Sequence, residues 1–218
     1  MATKTQKKQD NISEKIVSAY KDAVLTEQRP PASIYSFVKL LKINEAEFYK
    51  HFTSFNDIDV HIWQQAAEGT INSLMASDEF QSYTTREKVL GLFYTLIEAL
   101  NTDRSYFLYS LKEQRPLFRN MSEFRSLIEN FAKPVMQQGI ADNEIQDLKF
   151  ISDRYHDAVW VNTIFILNFW ANDNSKGFEK TDAAIEKSVN LMIELMGKST
   201  LNSVIDFGKF LLQNGIRK

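Results

Sequence analysis

The sequence contains no cysteine, only seven glycines and four prolines, and no apolar run of the roughly 18 residues that a membrane-spanning helix needs. The lack of cysteine excludes disulfides, thiolate metal sites and thiol nucleophiles. The N-terminus is polar and lysine-bearing and lacks the apolar segment of a secretory signal. We therefore expect a cytoplasmic protein that is not attached to a membrane.

The chain also lacks a strong excess of either charge. Its net charge is −2, divided into +1 over residues 1–60 and −3 over residues 61–218. A dedicated DNA-binding domain usually has a more basic surface than this. The local basic cluster is Lys4, Lys7 and Lys8, which we predict to lie on a flexible polar arm over residues 1–11.

No catalytic or metal-binding pattern is present. The three histidines, His51, His61 and His156, are scattered and have no metal-type spacing. The sequence has neither a glycine-rich phosphate loop nor a nucleophile elbow. We predict no enzymatic activity, no cofactor and no metal site.

Apolar residues recur at helical spacing along almost the whole chain, which predicts an all-α fold. Glycine and proline are too few to favour many short strands and turns. The predicted helices lie at about 13–26, 33–41, 44–52, 54–75, 84–100, 103–112, 116–137, 144–172, 178–197 and 200–213.

Two short helices near the N-terminus have clear starting signals. Ser33 can cap the first of them, and Asn44 with Glu47 three residues later forms a capping-box pattern at the second. Phe48-Tyr49-Lys50-His51-Phe52 follows directly. A capped helix, a tight turn and a second capped helix indicate a helix-turn-helix.

This region resembles the DNA-binding domain of the TetR/AcrR family from about Ile16 to Ile58, where Phe48, Tyr49, His51 and Phe52 match the pattern Leu-Tyr-Tyr-His-Phe. Residues 139–145 and 177–195 resemble parts of the family's C-terminal domain. The resemblance implies a two-domain helical bundle. Residues 1–58 would form the DNA-binding domain with its lysine arm, and residues 59–218 would bind a ligand and form a homodimer.

Several positions depart from the family pattern. Gln28 and Lys42 stand where the family has glycines, and Phe55 stands where a phosphate-binding lysine is usual. Glu45-Ala46-Glu47 replaces a lysine-glycine-threonine opening of the recognition helix, and Lys50 replaces a tyrosine. Acidic residues in a first helical turn favour the helix dipole and repel phosphates. Glutamate can nevertheless accept a hydrogen bond from cytosine in the major groove.

The resemblance assigns three sets of candidate residues. The DNA-binding set is Ser33, Lys42, Asn44, Glu45, Ala46, Glu47, Tyr49, Lys50 and His51. The ligand-pocket set is Phe93, Tyr106, Phe107, Phe124, Arg154, His156 and Asn162. The dimer-interface set is Trp160, Phe169, Ile185, Val189, Met192 and Met196. A stripe of aromatic residues at helical spacing is also what an ordinary core requires.

Residues 201–212 have the pattern of an amphipathic helix whose polar face is not strongly cationic. This favours packing on protein over lying on a membrane. The resulting hypothesis is a DNA-binding transcriptional regulator, a repressor released by a small hydrophobic effector, with double-stranded operator DNA as its partner. The alternative is a hydrophobic-ligand or lipid-binding protein on the same scaffold, with a degenerate DNA-binding motif.

Overall fold

The computed structural model describes residues 2–113, 121–148 and 151–197, except for the side chains of residues 2–11 and 113. Within these ranges the chain is helical and contains no strand, which confirms the all-α prediction. The α-helices are α1 (Ala2–Glu27), α2 (Ile34–Leu41), α3 (Glu45–Phe48), α4 (Phe55–Met75), α5 (Thr85–Thr102), α6 (Arg104–Glu113), α7 (Ser122–Ala141), α8 (Tyr155–Ala171) and α9 (Glu179–Met196). Short 3-10 turns occupy Asp78–Ser82, Ser152–Arg154 and Lys176–Phe178.

Several predicted boundaries were wrong, and one of them is the end of α3, which was predicted at residue 52 and lies at Phe48. Helix α1 begins at Ala2, so the polar segment predicted as a flexible arm is helical. Helix α7 continues through Gly139 to Ala141, although that glycine was predicted to end it. Helix α8 begins at Tyr155 instead of residue 144, because a turn after α7 and a 3-10 turn precede it. The predicted tail helix over 200–213, residues 116–120, and the side chains of Lys4, Lys7 and Lys8 lie outside the described part.

The chain divides into two compact units. The first comprises Met1–Ala67 with Ala99–Phe124, and the second comprises Glu68–Glu98 with Arg125–Lys218. The division predicted from the motif fell between residues 58 and 59. In the structure, α6 belongs to the first unit together with the helix-turn-helix, since its side chains pack on α1 and α4.

The first unit is held together by aromatic packing and one buried acid. The Trp63 ring lies 4.8 Å from that of Phe107, and its indole nitrogen donates a hydrogen bond to Ser110 Oγ at 3.0 Å. Asp59 of α4 accepts hydrogen bonds from the hydroxyls of Tyr20 and Tyr106. Burial raises the pKa of Asp59, and the two hydroxyl donors oppose that rise. The carboxylate thereby joins α1, α4 and α6.

In the second unit, α5 and α7 approach each other at a glycine. A β-carbon on Gly139 would lie 2.2 Å from Thr85 Oγ1, so no other residue fits without movement. The turn after α7 returns the chain to the same place, where Glu144 accepts a hydrogen bond from the Thr85 backbone amide at 2.6 Å. Gly139 therefore provides close helix packing here instead of a helix stop.

Candidate nucleic-acid interface

The local sequence directs the backbone of the helix-turn-helix. Ser33 Oγ accepts a hydrogen bond from the Ser36 amide at 3.1 Å and caps α2. Asn44 Oδ1 accepts from the Glu47 amide at 2.7 Å and caps α3. Both caps satisfy helix N-terminal amides that have no partner within the helix. The structure thus confirms the two helix starts that the sequence predicted.

Gln28 and Lys42, which replace two family glycines, both have left-handed backbones. Their φ angles are 54° and 56°. Lys42 ends α2, and its amide donates to the carbonyls of Lys39 and Val38. A residue with a β-carbon in this conformation costs roughly 1–2 kcal/mol relative to glycine. The chain therefore keeps a left-handed backbone at both positions although neither residue is a glycine.

Phe55, which replaces a phosphate-binding lysine, packs inward. Its ring stacks on Tyr20 with centroids 5.6 Å apart and meets the ring of Phe37 edge-on at 5.4 Å. Phe48, the last residue of α3, and Phe52, four residues later, are almost completely buried. This aromatic cluster fixes the helix-turn-helix on α1 and α4. Position 55 therefore contributes to packing and offers no charge to a phosphate.

The outer surface of the motif is formed by the predicted DNA-binding residues. Ser33, Lys42, Asn44, Glu45, Ala46, Tyr49 and Lys50 are exposed, and Glu47 and His51 are half-buried. Tyr49 is 54% exposed and has its ring edge-on to Phe48. The nine residues thus lie on or near one short segment, where solvent reaches the side chains of all but His51, whose Nε2 is buried.

Glu47 binds the two basic side chains that follow it. Its carboxylate accepts a hydrogen bond from Lys50 Nζ at 2.7 Å and lies 3.7 Å from His51 Nε2. The Lys50 hydrogen bond is the main reason that the pKa of Glu47 lies below its usual value. Glu45 adds a second negative charge beside this pair. In this arrangement the charge of Lys50 is balanced internally instead of being directed outward.

The predicted ligand-pocket residues differ in burial. Four of them, Phe93, Tyr106, Phe107 and Phe124, are core residues with 3% exposure or less. Arg154 is on the surface, where its Nε donates to Asp157 at 2.6 Å, and His156 lies beside the same carboxylate. Asn162 is buried, and its Nδ2 has no hydrogen-bond partner among the described residues. Helical spacing predicted that the aromatic side chains of this set face inward. In the structure these four side chains pack in the core.

Sequence reasoning missed a cavity of about 490 Å³ in the second unit, formed by the end of α4, the turn over Asp78–Ser82, α5 and α7. Lys88 lines this cavity and is only 9% exposed. Nothing in the sequence distinguishes Lys88 from the other lysines on helices. Its burial follows from the chain segment over residues 78–83, which places aromatic side chains beside it.

The predicted dimer-interface residues are mostly interior. Trp160, Ile185, Val189, Met192 and Met196 are at most 9% exposed within the single chain, and only Phe169 is half-exposed. Helices α8 and α9 each have two apolar faces, and five of the six predicted residues lie on the face toward the core. The other face presents Val161, Phe165, Leu191 and Leu195, which are 46–64% exposed.

Two other kinds of feature are absent from the residues that the structure describes. No group of three His, Cys, Asp or Glu side chains is placed to hold a metal ion. No helix in the same ranges combines the length and apolarity needed to cross a membrane.

Comparison with known proteins gives one match. A family model described as the tetracyclin repressor-like C-terminal domain matches residues 88–211. No curated protein and no solved structure matches the chain. The matched segment covers more than half of the sequence, and an all-α chain with an N-terminal helix-turn-helix is consistent with it. The chain therefore belongs to the tetracyclin repressor-like family and is a transcription regulator, not an enzyme.

Proposed function

We propose that this regulator binds operator DNA as a homodimer and acts as a repressor that a small hydrophobic effector releases. One observation carries the proposal. A doubly capped helix-turn-helix exposes Tyr49 and Lys50 in a chain whose residues 88–211 match the tetracyclin repressor-like C-terminal domain. Because chromosomal DNA is its partner, we expect the protein to act in the cytoplasm.

Phosphate binding would depend on few groups. Tyr49, Ser33 and Lys42 are exposed on the motif and are the candidate phosphate contacts. Lys50 would exchange its bond with Glu47 for a phosphate. Since neutralised phosphates supply much of the affinity for DNA, a site with so few cations should bind with a shallow salt dependence.

Base reading would come from the start of α3. Glu45 and Ala46 are exposed there. A glutamate carboxylate can accept from the amino group of cytosine, and an alanine methyl can contact the methyl group of thymine. The acidic first turn of α3 would thus contribute to base specificity. Its negative charges would repel phosphates and so weaken non-specific binding.

Dimerisation would use the exposed apolar face of α8 and α9. A shallow groove of about 490 Å³ runs along this face, and its lining includes Phe165, Phe169, Ala183, Ala184 and Leu191. Small residues between larger apolar ones allow a second helix pair to approach closely. A two-fold dimer would present two recognition helices to half-sites about 34 Å apart, one turn of DNA.

Selection of bound sequences from a random duplex pool tests the proposal. Wild-type protein should enrich a palindrome, and Tyr49→Ala and Lys50→Ala should lose it. Tyr94→Ala, which removes an exposed tyrosine from α5, is the matched control and should enrich the same sequence. If wild-type protein enriches nothing at low salt, the DNA-binding proposal is wrong. The hydrophobic-ligand alternative would then be tested by extracting bound lipid from the purified protein.

A further inference from the structure

The cavity beside Lys88 has the size of a small-molecule site. Its volume is about 490 Å³, within the range of about 300–1,000 Å³ that is typical of ligand pockets. Its walls come from the end of α4, the 78–83 turn, the first turn of α5 and the second half of α7. All of these segments belong to the second compact unit.

The cavity is lined by one cationic side chain among the described residues, that of Lys88. The Lys88 side chain is buried, and its Nζ lies 5.7 Å from the centroid of the Phe80 ring. No carboxylate forms an ion pair with it among the residues that the structure describes. A lysine this well buried usually has an anionic partner, so a carboxylate that enters the cavity would supply the partner that this ammonium lacks among the described residues.

One part of the cavity wall is apolar and consists of buried side chains. Phe80 and Phe131 are at most 5% exposed, and their ring centroids lie 5.8 Å apart. Tyr83 packs edge-on to Phe80 at 6.2 Å, and the buried Val135 also lines the space. Such a surface suits an aromatic or aliphatic body placed next to the charge.

Two carboxylates also line the cavity and are exposed to solvent. Asp142 accepts a hydrogen bond from Gln138 Nε2 at 2.8 Å, and Glu144 accepts from the Thr85 amide at 2.6 Å. Both are therefore held by other groups instead of by Lys88. Their negative charges would repel a ligand that carries two charges more strongly than one that carries a single charge. A monoanion could place its one charge on Lys88 and leave an uncharged part near the exposed side.

We propose that this cavity binds a small monocarboxylic acid with an apolar body. The carboxylate pairs with Lys88, and the body packs between Phe80, Phe131 and Val135. This inference rests on the proposed function, in which such an acid is the effector. None of the residues that line this cavity belongs to the ligand-pocket set predicted from the sequence.

Titration calorimetry with purified full-length protein tests the site directly. The probes are hexanoate, phenylacetate and indole-3-acetate, each paired with its neutral amide, together with phenyl phosphate as a dianion. At least one carboxylate should bind, and its amide and the phosphate should bind more weakly. Lys88→Met should weaken that binding about tenfold or more, because the carboxylate of the ligand then has no cation to pair with. Lys133→Met removes an exposed lysine from α7 and should leave the affinity unchanged.

Stability of the variant provides a separate readout. Lys88→Met keeps an apolar stem and removes an unpaired ammonium, so the ligand-free variant should melt no lower than wild type. If it does not fold, Lys88→Gln is used in its place. The proposal is overturned if none of the carboxylates binds wild-type protein up to about 10 mM, or if the lysine variants bind as tightly as wild type.

A second titration separates this site from the proposed function. DNA binding is followed by fluorescence anisotropy with and without the acid that binds. Weaker DNA binding in its presence, lost in Lys88→Met, supports the effector role. Acid binding with no change in DNA affinity overturns that role. Acid binding by a protein that binds no DNA overturns the proposed function, while the assignment of the cavity stands on the calorimetry.

Discussion

The carboxylate of Glu47 accepts a hydrogen bond from Lys50 Nζ at 2.7 Å, within the segment that would face DNA. His51 Nε2 lies 3.7 Å from the other oxygen of the same carboxylate. One acidic residue thus faces two of the groups that could bind phosphate. An exposed pair of this kind contributes little to stability, so its main consequence is for binding.

Removing this charge should strengthen DNA binding. Glu47→Gln frees Lys50 and relieves repulsion of phosphate, so we expect tighter binding and a salt dependence steeper by about one unit of log affinity per log salt concentration. Glu45→Gln removes an equal charge without freeing Lys50 and should strengthen binding without the added slope. Fluorescence anisotropy at several salt concentrations measures both. Equal slopes for the two variants would contradict the role given to the ion pair.

Charge placed on the outer face of α8 and α9 should dissociate the proposed dimer. Phe165→Glu and Leu191→Glu each put a carboxylate on a face that is apolar and 46–57% exposed. Burying such a charge at an interface without a partner is costly. Sedimentation equilibrium should show monomers for both. Leu40→Glu changes a leucine of α2 that is 80% exposed and should leave the dimer intact. A dimer that survives both substitutions would place the interface elsewhere.

Glycine at position 42 should stabilise the protein. Lys42 has a left-handed backbone with φ 56°, so Lys42→Gly removes steric strain, and the greater freedom of glycine in the unfolded chain offsets part of the gain. We expect the free energy of unfolding to rise by roughly 0.5–1 kcal/mol. Gln28→Gly relieves similar strain but loses the bond from Gln28 Nε2 to the Leu25 carbonyl, so its gain should be smaller. Urea unfolding distinguishes them, and a loss of stability in Lys42→Gly would refute this account.

Asp173 should make stability sensitive to acid. Its carboxylate accepts hydrogen bonds from the hydroxyls and amides of Ser175 and Thr181, and these bonds lower its pKa well below the usual range. A group with a lowered folded-state pKa stabilises the protein above its unfolded pKa of about 4 and loses that contribution as the pH falls.

Asp173→Asn should therefore be less stable than wild type at neutral pH, and the difference should narrow as the pH falls below about 4. Denaturant unfolding at several pH values measures this. Glu186→Gln, at an exposed acid in the middle of α9, is the control and should follow the wild-type curve. If the difference between Asp173→Asn and wild type stays constant with pH, the hydrogen-bonded carboxylate is not its cause.

Two glycines should respond to alanine in opposite directions. The new methyl group of Gly139→Ala would lie 2.2 Å from Thr85 Oγ1, so α5 and α7 must separate, at a cost of roughly 1–3 kcal/mol. The methyl group of Gly69→Ala would meet no atom within 4 Å and should stabilise α4 by roughly 0.5–1 kcal/mol. Thermal melting of both variants checks the pair, and a Gly139→Ala protein as stable as wild type would show that the contact is not tight.

The sequence by itself determined the local features of this protein. Helical periodicity, the caps at Ser33 and Asn44, and the aromatic signature over residues 48–52 depend on neighbours within one or two turns. Such signals are read correctly because a cap or an apolar face acts over that distance. For the same reason the candidate DNA-binding residues lie close together, since all but Ser33 fall within ten consecutive positions.

Only the tertiary structure decided which apolar residues are interior and which charges are satisfied. Ile185 and Leu191 lie on different faces of α9, but the sequence does not show which face the rest of the chain covers. Likewise, Lys88 is buried only because the segment over residues 78–83 folds beside it. Burial depends on contacts between residues distant in sequence, and the period of a helix carries no information about them. The sequence therefore determined the helices and the motif, and packing decided the cavity and the exposed apolar face.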